Sequence, residues 1–484
     1  MTRLVAGVDS STQSTKVVVC DAATGEVVRQ GRAAHPDGTE VDPMRWWDAW
    51  CEATRGGLLD GVEAIAVGGQ QHGMVATDES GEVVRDALLW NDTRSAPQAR
   101  ALVEELGGPQ AWVDSAGSVP TASFTVTKLR WLAEHEPEHA ARTSRVELPH
   151  DWLTGRMLDG GEPVAPAVTD RGEASGTGYY SPASGEYLPD LLRRSLGHVP
   201  ELPRVLGPGE AAGRTPDGLL VGAGTGDNMA AGLGLGLEPG DVVVSLGTSG
   251  TVFARHDRAV ADPSGDIAGF ADAEGGFLPL VCTLNAARVL VATAQLLGVD
   301  LAELAELAGR AEPGSGGLTL LPFLDGERTP NLPTATGTLG GLTRAAMTRE
   351  GMARAAHEGM LCNLAEGVDR IREAGIEARR VLLIGGASAS PLVPQITADL
   401  IGLPVVVPAS GEYVALGAAR QAAWVLDGGE APPTWSVRHD VTREPDGSAA
   451  QAHAEVRERY TELLRTRHPE LGEVAAGAAG AQAL

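Results

Sequence analysis

The sequence is short of paired cysteines, of clustered positive charge and of long apolar runs, and each shortage closes off a class of protein. Its four cysteines, Cys20, Cys51, Cys282 and Cys362, form no C-x-x-C pair and have no histidine cluster beside them. That spacing speaks against a disulfide framework and a zinc site, and it suits reduced thiols in a cytoplasmic protein. Lys and Arg number 38 against 64 Asp and Glu, a net charge of −26, and no basic run occurs. Nucleic acids demand clustered cations for their phosphates, so no nucleic-acid partner is expected. No apolar run is long enough to cross a bilayer, and the opening MTRLVAGVDSST enters a strand pattern without a signal-peptide core. Neither a membrane partner nor export is expected. Also missing are the P-loop G-x-x-x-x-G-K-[ST], a dinucleotide fingerprint, H-E-x-x-H and G-x-S-x-G, which removes the commonest nucleotide, zinc-protease and hydrolase sites.

What is present is a 484-residue chain with 43% hydrophobic residues, 63 glycines and 30 prolines. That length suits two domains, and the glycine content suits an α/β protein with many tight strand-to-loop turns. Leu4–Asp9, Lys16–Asp21 and Val27–Ala34 read as strands split by Ser/Thr/Gly turns. Asp42-Pro43 reads as an N-cap followed by Pro at the first helical position, opening a helix through Trp50. Further strands are expected at Ala64–Gly68, Val242–Leu246, Thr251–Ala254, Val381–Gly386 and Val405–Val407. Helices are expected at Arg94–Leu106, Thr127–Ala133, Gly351–Ala374, Pro391–Leu400, Val414–Leu426 and Ala452–Arg467. Asp427–Gln451 reads as a connection, and the tail from Glu470 as frayed. The stretch VDSSTQSTKV (Val8–Val17) aligns without gaps on VSLGTSGTVF (Val244–Phe253), so that Thr12 falls on Thr248 and Thr15 on Thr251. A strand–turn–strand unit at the start of each half implies two related domains that face a cleft.

Five segments can carry chemistry. In Asp9-Ser-Ser-Thr-Gln-Ser-Thr15-Lys16, the turn residues Ser11, Thr12 and Gln13 offer hydroxyls and backbone N–H groups to phosphate oxygens, and Asp9 offers a carboxylate to magnesium, directly or through water. Gly247, Thr248 and Ser249 form the matching turn of the second half. Taken alone, each is an ordinary polar turn; together they can grip one polyphosphate. Asp227 follows the run Gly222-Ala-Gly-Thr-Gly226 at the start of a helix, where it is either a cap or a carboxylate that the helix terminus keeps ionised. An ionised Asp beside a hydroxyl is what phosphoryl transfer uses to orient the nucleophile. Gly385, Gly386 and Ala387 end a strand where an adenine or ribose could lie on bare backbone. Gln71, His72, Asn91 and Asp92 together supply the donors and acceptors that a polyol requires.

In this order the segments resemble the FGGY family of carbohydrate kinases, from about Leu4 to Gln421. Ser123-x-Thr125-x-x-Lys128-Leu129-x-Trp131 is similar to that family's N-terminal signature. GQQHG, LWNDTR, LPHDW, GTGDN, SLGTSG and GERTP are most like the members that act on xylulose. The resemblance implies an α/β protein of two ribonuclease-H-like, actin-like domains facing a central cleft: residues 1–236 for the sugar and 237–484 for ATP, with 470–484 a frayed tail. It implies ATP and Mg2+, a small ketose as the other partner, and D-xylulose 5-phosphate as product. It makes Asp227 the base, Asp9 the magnesium-organising carboxylate, Thr12 and Thr248 phosphate contacts, Gly386 and Ala387 adenosine contacts, and His72 a sugar contact. A homodimer is compatible with it. The chain departs from many relatives at Gln71, where they carry Met, and at Ser11, where they carry Gly. Sister kinases for ribulose, gluconate or glycerol, and a non-catalytic sensor on the same fold, are the alternatives.

Overall fold

The protein is described by a computed structural model that covers residues 3–162 and 167–471. Two seven-stranded sheets organise it. The first holds β1 (Leu4–Ser10), β2 (Ser14–Asp21), β3 (Val27–Ala34), β4 (Val62–Gly69), β5 (Ala211–Arg214), β6 (Leu220–Gly222) and β7 (Thr225–Gly226), in the order β5-β6-β4-β1-β2-β3 with β7 against β4. The second holds β8 (Asp241–Leu246), β9 (Gly250–Ala254), β10 (Ala268–Ala271), β11 (Phe277–Thr283), β12 (Arg380–Ile384), β13 (Val405–Pro408) and β14 (His439–Arg443), in the order β10-β11-β9-β8-β12-β13-β14. In each sheet an antiparallel meander (β1-β2-β3; β8-β9-β11) continues into two parallel strands (β4 and β6; β12 and β13). An antiparallel strand, β5 or β14, then borders them. The same connectivity twice over is the duplication that the short internal repeat implies. Strands β1, β4, β8 and β12 are Val/Ala/Leu-rich and buried along most of their length, as parallel positions covered on both faces require.

Helices that matter for the site are α1 (Met44–Ala53), α2 (Thr125–His135), α3 (Pro149–Leu158), α4 (Arg171–Ser175), α5 (Asp227–Leu235), α6 (Arg349–Glu373), α7 (Tyr413–Asp427) and α8 (Ala450–Arg467). At α1 the helix runs from Met44 with Pro43 already in helical backbone geometry, and the Asp42 carboxylate accepts the Met44 N–H at 2.9 Å, the bond a capping residue makes. Helix α7 comes from the second half of the chain but lies on the first sheet. Gly7 makes this possible: a Cβ there would sit 1.9 Å from the Ala415 carbonyl oxygen. Gly417 does the same where α7 crosses α5, since its Cβ would sit 1.8 Å from the Ala230 carbonyl oxygen. The two halves therefore meet through direct backbone contact, which no side chain at either glycine could permit.

The expected connection at 427–451 contains a strand, β14. Its sequence, HDVTR, is polar and mostly exposed, so no apolar run announces it; it exists by pairing with the open side of β13. The tail that was expected to fray lies, from 472 on, outside the described residues. Among the described residues no helix is long and apolar enough to cross a membrane.

Candidate active site

The β1–β2 turn and the β8–β9 turn open onto one cleft of about 480 Å3 between the two sheets. Ser11, Thr12 and Gln13 line it from one side, Gly247, Thr248 and Ser249 from the other. Gln71, His72, Asn91 and Asp227 line it too. Those ten of the sequence-derived site residues are thus brought together by the fold.

Asp227 is the first residue of α5, with Gly226 in the cap position. Its Oδ1 accepts from the N–H and the Nδ2 of Asn228, both at 2.8 Å, so one carboxylate oxygen is held and the cleft remains open to the other. Thr251 on β9 donates to Asn228 Oδ1 at 3.3 Å, which ties the second half's hairpin to the start of α5. The expectation that the helix terminus keeps Asp227 ionised is corrected here. Burial first, and then the charge of Asp9, raise its carboxyl to about 7, and the bonds from Asn228 only partly offset them.

Asp9 lies one residue from the end of β1 and is buried. Its Oδ2 accepts from Lys16 Nζ at 3.2 Å, the residue opposite it on β2. Lys16 also donates to Glu412 Oε2 at 2.7 Å, just before α7. Burial raises the Asp9 carboxyl while Lys16 pulls it down. Asp9 Oδ1 is buried and has no hydrogen-bond partner among the described residues. Among the described residues no three His, Cys, Asp or Glu cluster as a metal cage. A hard cation that keeps most of its water and takes one protein carboxylate plus phosphate oxygens fits this arrangement, as magnesium does.

His72 carries a left-handed backbone, φ 67°, rare for a residue with a side chain. Its Nδ1 lies 2.6 Å from the Gly176 carbonyl oxygen and so carries the proton, leaving Nε2 as an acceptor. Burial and nearby Arg328 lower its pKa to about 3, so the ring is neutral. Phe124 and Phe270 pack against it at 4.8 and 5.6 Å between ring centres. Gln71 Nε2 donates to the Gly172 carbonyl at 3.4 Å, at the first turn of α4.

Two placements depart from expectation. Asp92 does not line the cleft: its carboxylate is filled by Thr39 Oγ1 at 2.8 Å and by Arg94 N and Nε at 3.0 and 2.8 Å, which makes it a brace for the loop that carries Asn91. Gly385, Gly386 and Ala387 lie just past the end of β12, outside the cleft lining, with Gly385 packed on Leu246 where β8 runs into the Gly247 turn. Residues that sequence reasoning gave no role are Trp90, whose Nε1 donates to Thr12 Oγ1 at 2.8 Å, Lys16, Glu412, Phe270, Arg288 and Arg328. Lys16 stands inside a segment already singled out, opposite Asp9 in a hairpin. Trp90 and Arg328 stand in the LWNDTR and GERTP motifs, whereas Glu412, Phe270 and Arg288 come from distant parts of the chain and carry no local signal.

A family model described as the N-terminal domain of the FGGY carbohydrate kinases matches residues 4–234, and its C-terminal counterpart matches 242–426. The chain belongs to the FGGY family of carbohydrate kinases. It is a carbohydrate kinase with the family's two-domain, actin-like fold. Its sequence is 47% identical to a xylulose kinase from Streptomyces rubiginosus, over 97% of each chain. It is also 47% identical to a xylulose kinase from Streptomyces coelicolor, over 98% of each chain. The crystal structure of a xylulose kinase from Bifidobacterium adolescentis superposes with a TM-score of 0.86 at 47% identity, covering 94% of this chain and 99% of that one. For an FGGY kinase the cleft's contents are chemically sensible: the carbonyl-anchored side chains of His72 and Gln71, two turns that offer hydroxyls and backbone N–H groups, and the carboxyl of Asp227 in one space.

Proposed function

We propose that this FGGY kinase transfers the γ-phosphoryl group of ATP to the terminal hydroxyl of D-xylulose, giving D-xylulose 5-phosphate and ADP. The observation that carries the reading is the convergence of Asp227, His72 and both hydroxyl-bearing turns on one cleft, in a chain 47% identical over nearly its whole length to xylulose kinases.

In this reading Gln71, His72 and Asn91 hold the sugar hydroxyls, and His72 Nε2 accepts from one of them. Asp227 faces the attacking hydroxyl. As the bond from that oxygen to phosphorus forms and the bond from phosphorus to the ADP oxygen breaks, the hydroxyl proton passes to the open Asp227 oxygen and later to solvent. Thr12, Thr248 and the backbone N–H groups of their turns hold the phosphates. Asp9 holds magnesium, which screens the phosphate charge when bound. Gly385, Gly386 and Ala387, beyond the cleft lining and next to the Gly247 turn, offer side-chain-poor backbone to the nucleoside. The first sheet's half holds the sugar and the second most of the nucleotide. A cytoplasmic location goes with a cosubstrate made there and with four unpaired cysteines.

A panel of D-xylulose, D-ribulose, gluconate and glycerol with MgATP, read by ADP release, tests the reading. D-xylulose should give the highest kcat/KM. A site built to bond particular hydroxyls rejects a wrong polyol strongly, because its buried groups stay unpaired. Glycerol as best substrate would overturn the assignment.

A further inference from the structure

Of the 38 basic residues in the chain only two are lysines, Lys16 and Lys128. Lys16 is the cleft lysine that pairs with Asp9. Lys128 lies on α2, is completely buried and does not line the cleft. Among the described residues its Nζ has no carboxylate within ion-pair distance. Instead it donates to three backbone carbonyls: His72 at 3.3 Å, Ala122 at 3.3 Å, and Ser123. Burying an ammonium without a counter-charge costs stability, so packing alone does not call for lysine here; a methionine would fill the same space more cheaply.

What the lysine holds is the backbone of His72. The same carbonyl oxygen accepts a second bond, from Thr125 Oγ1 at 3.2 Å. Both donors sit on the first turn of α2, three residues apart. They meet a residue whose φ of 67° is uphill for any side chain with a Cβ. Rotation of the peptide after His72 would break both bonds at once, taking one of its three acceptors from the Lys128 ammonium and the His72 carbonyl from the buried Thr125 hydroxyl. The ring is fixed separately, by Gly176 and by the two phenylalanines.

We propose that Lys128, with Thr125, is a positioning residue for sugar binding: the two lock the His72 backbone in its left-handed conformation and so aim Nε2 at the sugar. This rests on the reading that His72 meets the sugar. The lock responds to pH. Burial lowers Lys128 to about 7, with Asp92 opposing that shift and Arg328 adding to it. The His72 ring stays neutral down to about 3. As an ammonium, Lys128 has three N–H donors for three carbonyls; as an amine it has two, and one carbonyl is left unpaired.

The test compares wild type, Lys128→Met and Thr125→Val, with KM for sugar and for MgATP measured from pH 6 to 8.5 and kcat expressed per active site. The sugar used is whichever polyol the wild type phosphorylates best. Failure of wild type on D-xylulose would therefore count against the proposed substrate and leave the lock open to test. Lys128→Met should raise the sugar KM about tenfold or more, since a misaimed contact is lost throughout binding, and leave KM for MgATP within about twofold. Thr125→Val should raise the sugar KM about threefold. The wild-type log KM for sugar should bend upward near pH 7, and the bend should vanish in Lys128→Met. A sugar KM unchanged in both variants, with any loss confined to melting temperature or active fraction, would overturn the proposal. If Lys128→Met does not fold, Thr125→Val decides alone: an unchanged sugar KM overturns it.

Discussion

The charge on Asp9 helps to hold a proton on Asp227, adding to burial in lifting that carboxyl to about 7. A base must be unprotonated to act. kcat/KM should therefore climb with pH through about 7 and level off above it. Anything that cancels the charge of Asp9 should move that limb to lower pH. Asp9→Asn, which removes the charge outright, should do so. The same variant should need more magnesium, since a hard oxygen is lost from the cation's surroundings. Profiles of kcat and kcat/KM for both proteins, each at several magnesium concentrations, check this. A limb that stays near 7 in Asp9→Asn would disprove the linkage between the two carboxylates.

Replacing Asp227 separates its chemical role from any structural one. Asp227→Asn keeps the shape and the bonds to Asn228, so kcat should fall by about 10²–10⁴ while sugar and MgATP still bind. Stability should move the other way. The native carboxyl binds its proton more tightly than the unfolded one, whose pKa is near 3.8. Between roughly pH 4 and 7 the native state therefore holds more protons than the unfolded chain, and the wild type loses stability as pH rises. The Asn variant escapes that loss. It should melt higher than wild type at pH 8, by a margin on the order of 2 kcal/mol, and near wild type at pH 4. A residue that merely caps α5 would give the opposite pattern, near-normal turnover with a lowered melting point.

In the proposed reading His72 is the sugar-side counterpart. With Nδ1 committed to Gly176, only Nε2 is left for a ligand. His72→Ala should raise the sugar KM by about tenfold to a hundredfold and change MgATP binding little, because a hydroxyl that loses its buried partner costs about 1–3 kcal/mol. Since the ring stays neutral above about pH 3, it contributes no inflection of its own at neutral pH. Isothermal titration with each ligand separately distinguishes this from a general loss of fold; equal weakening of both ligands would refute it.

Much of this site is visible in the sequence because its turns are local. Thr12 and Thr248 sit in hairpins whose strands are apolar and whose turns are polar, and their equivalence survives in the aligned stretches. Asp227 stands out where a glycine run meets a helix. What the sequence hides is long-range. Glu412 reaches Lys16 across 396 residues, and the packing of α7 on the first sheet rests on Gly7 and Gly417, which in sequence are only two glycines among 63. Asp92 is hard to read for a different reason. A carboxylate beside Asn91 looks like a polyol contact, and only coordinates reveal Thr39 and Arg94 filling it. The raised pKa of Asp227 was equally out of reach, since it depends on burial and on Asp9, residues apart in sequence and close in the fold.

Closure of the cleft follows from where the two phosphate-type turns stand. One belongs to each half, and both face one space of about 480 Å3. In the proposed reading, a nucleotide held from the second half and a sugar held from the first react only if the halves bring them into contact and exclude water. The halves cannot slide over one another, because α7 touches β1 and α5 backbone to backbone at Gly7 and Gly417. Rotation about that crossing is the movement left, and it narrows the cleft while keeping the glycine contacts. Small-angle scattering should therefore show the radius of gyration fall, by roughly 1 Å, when sugar and a non-hydrolysable ATP analogue are both present. Either ligand alone should give a smaller change. Gly417→Ala should wedge the crossing apart, weaken the two-ligand response and lower the melting temperature, since a Cβ has no room beside the Ala230 carbonyl. A scattering profile unchanged at saturation with both ligands would mean that the cleft works without closing.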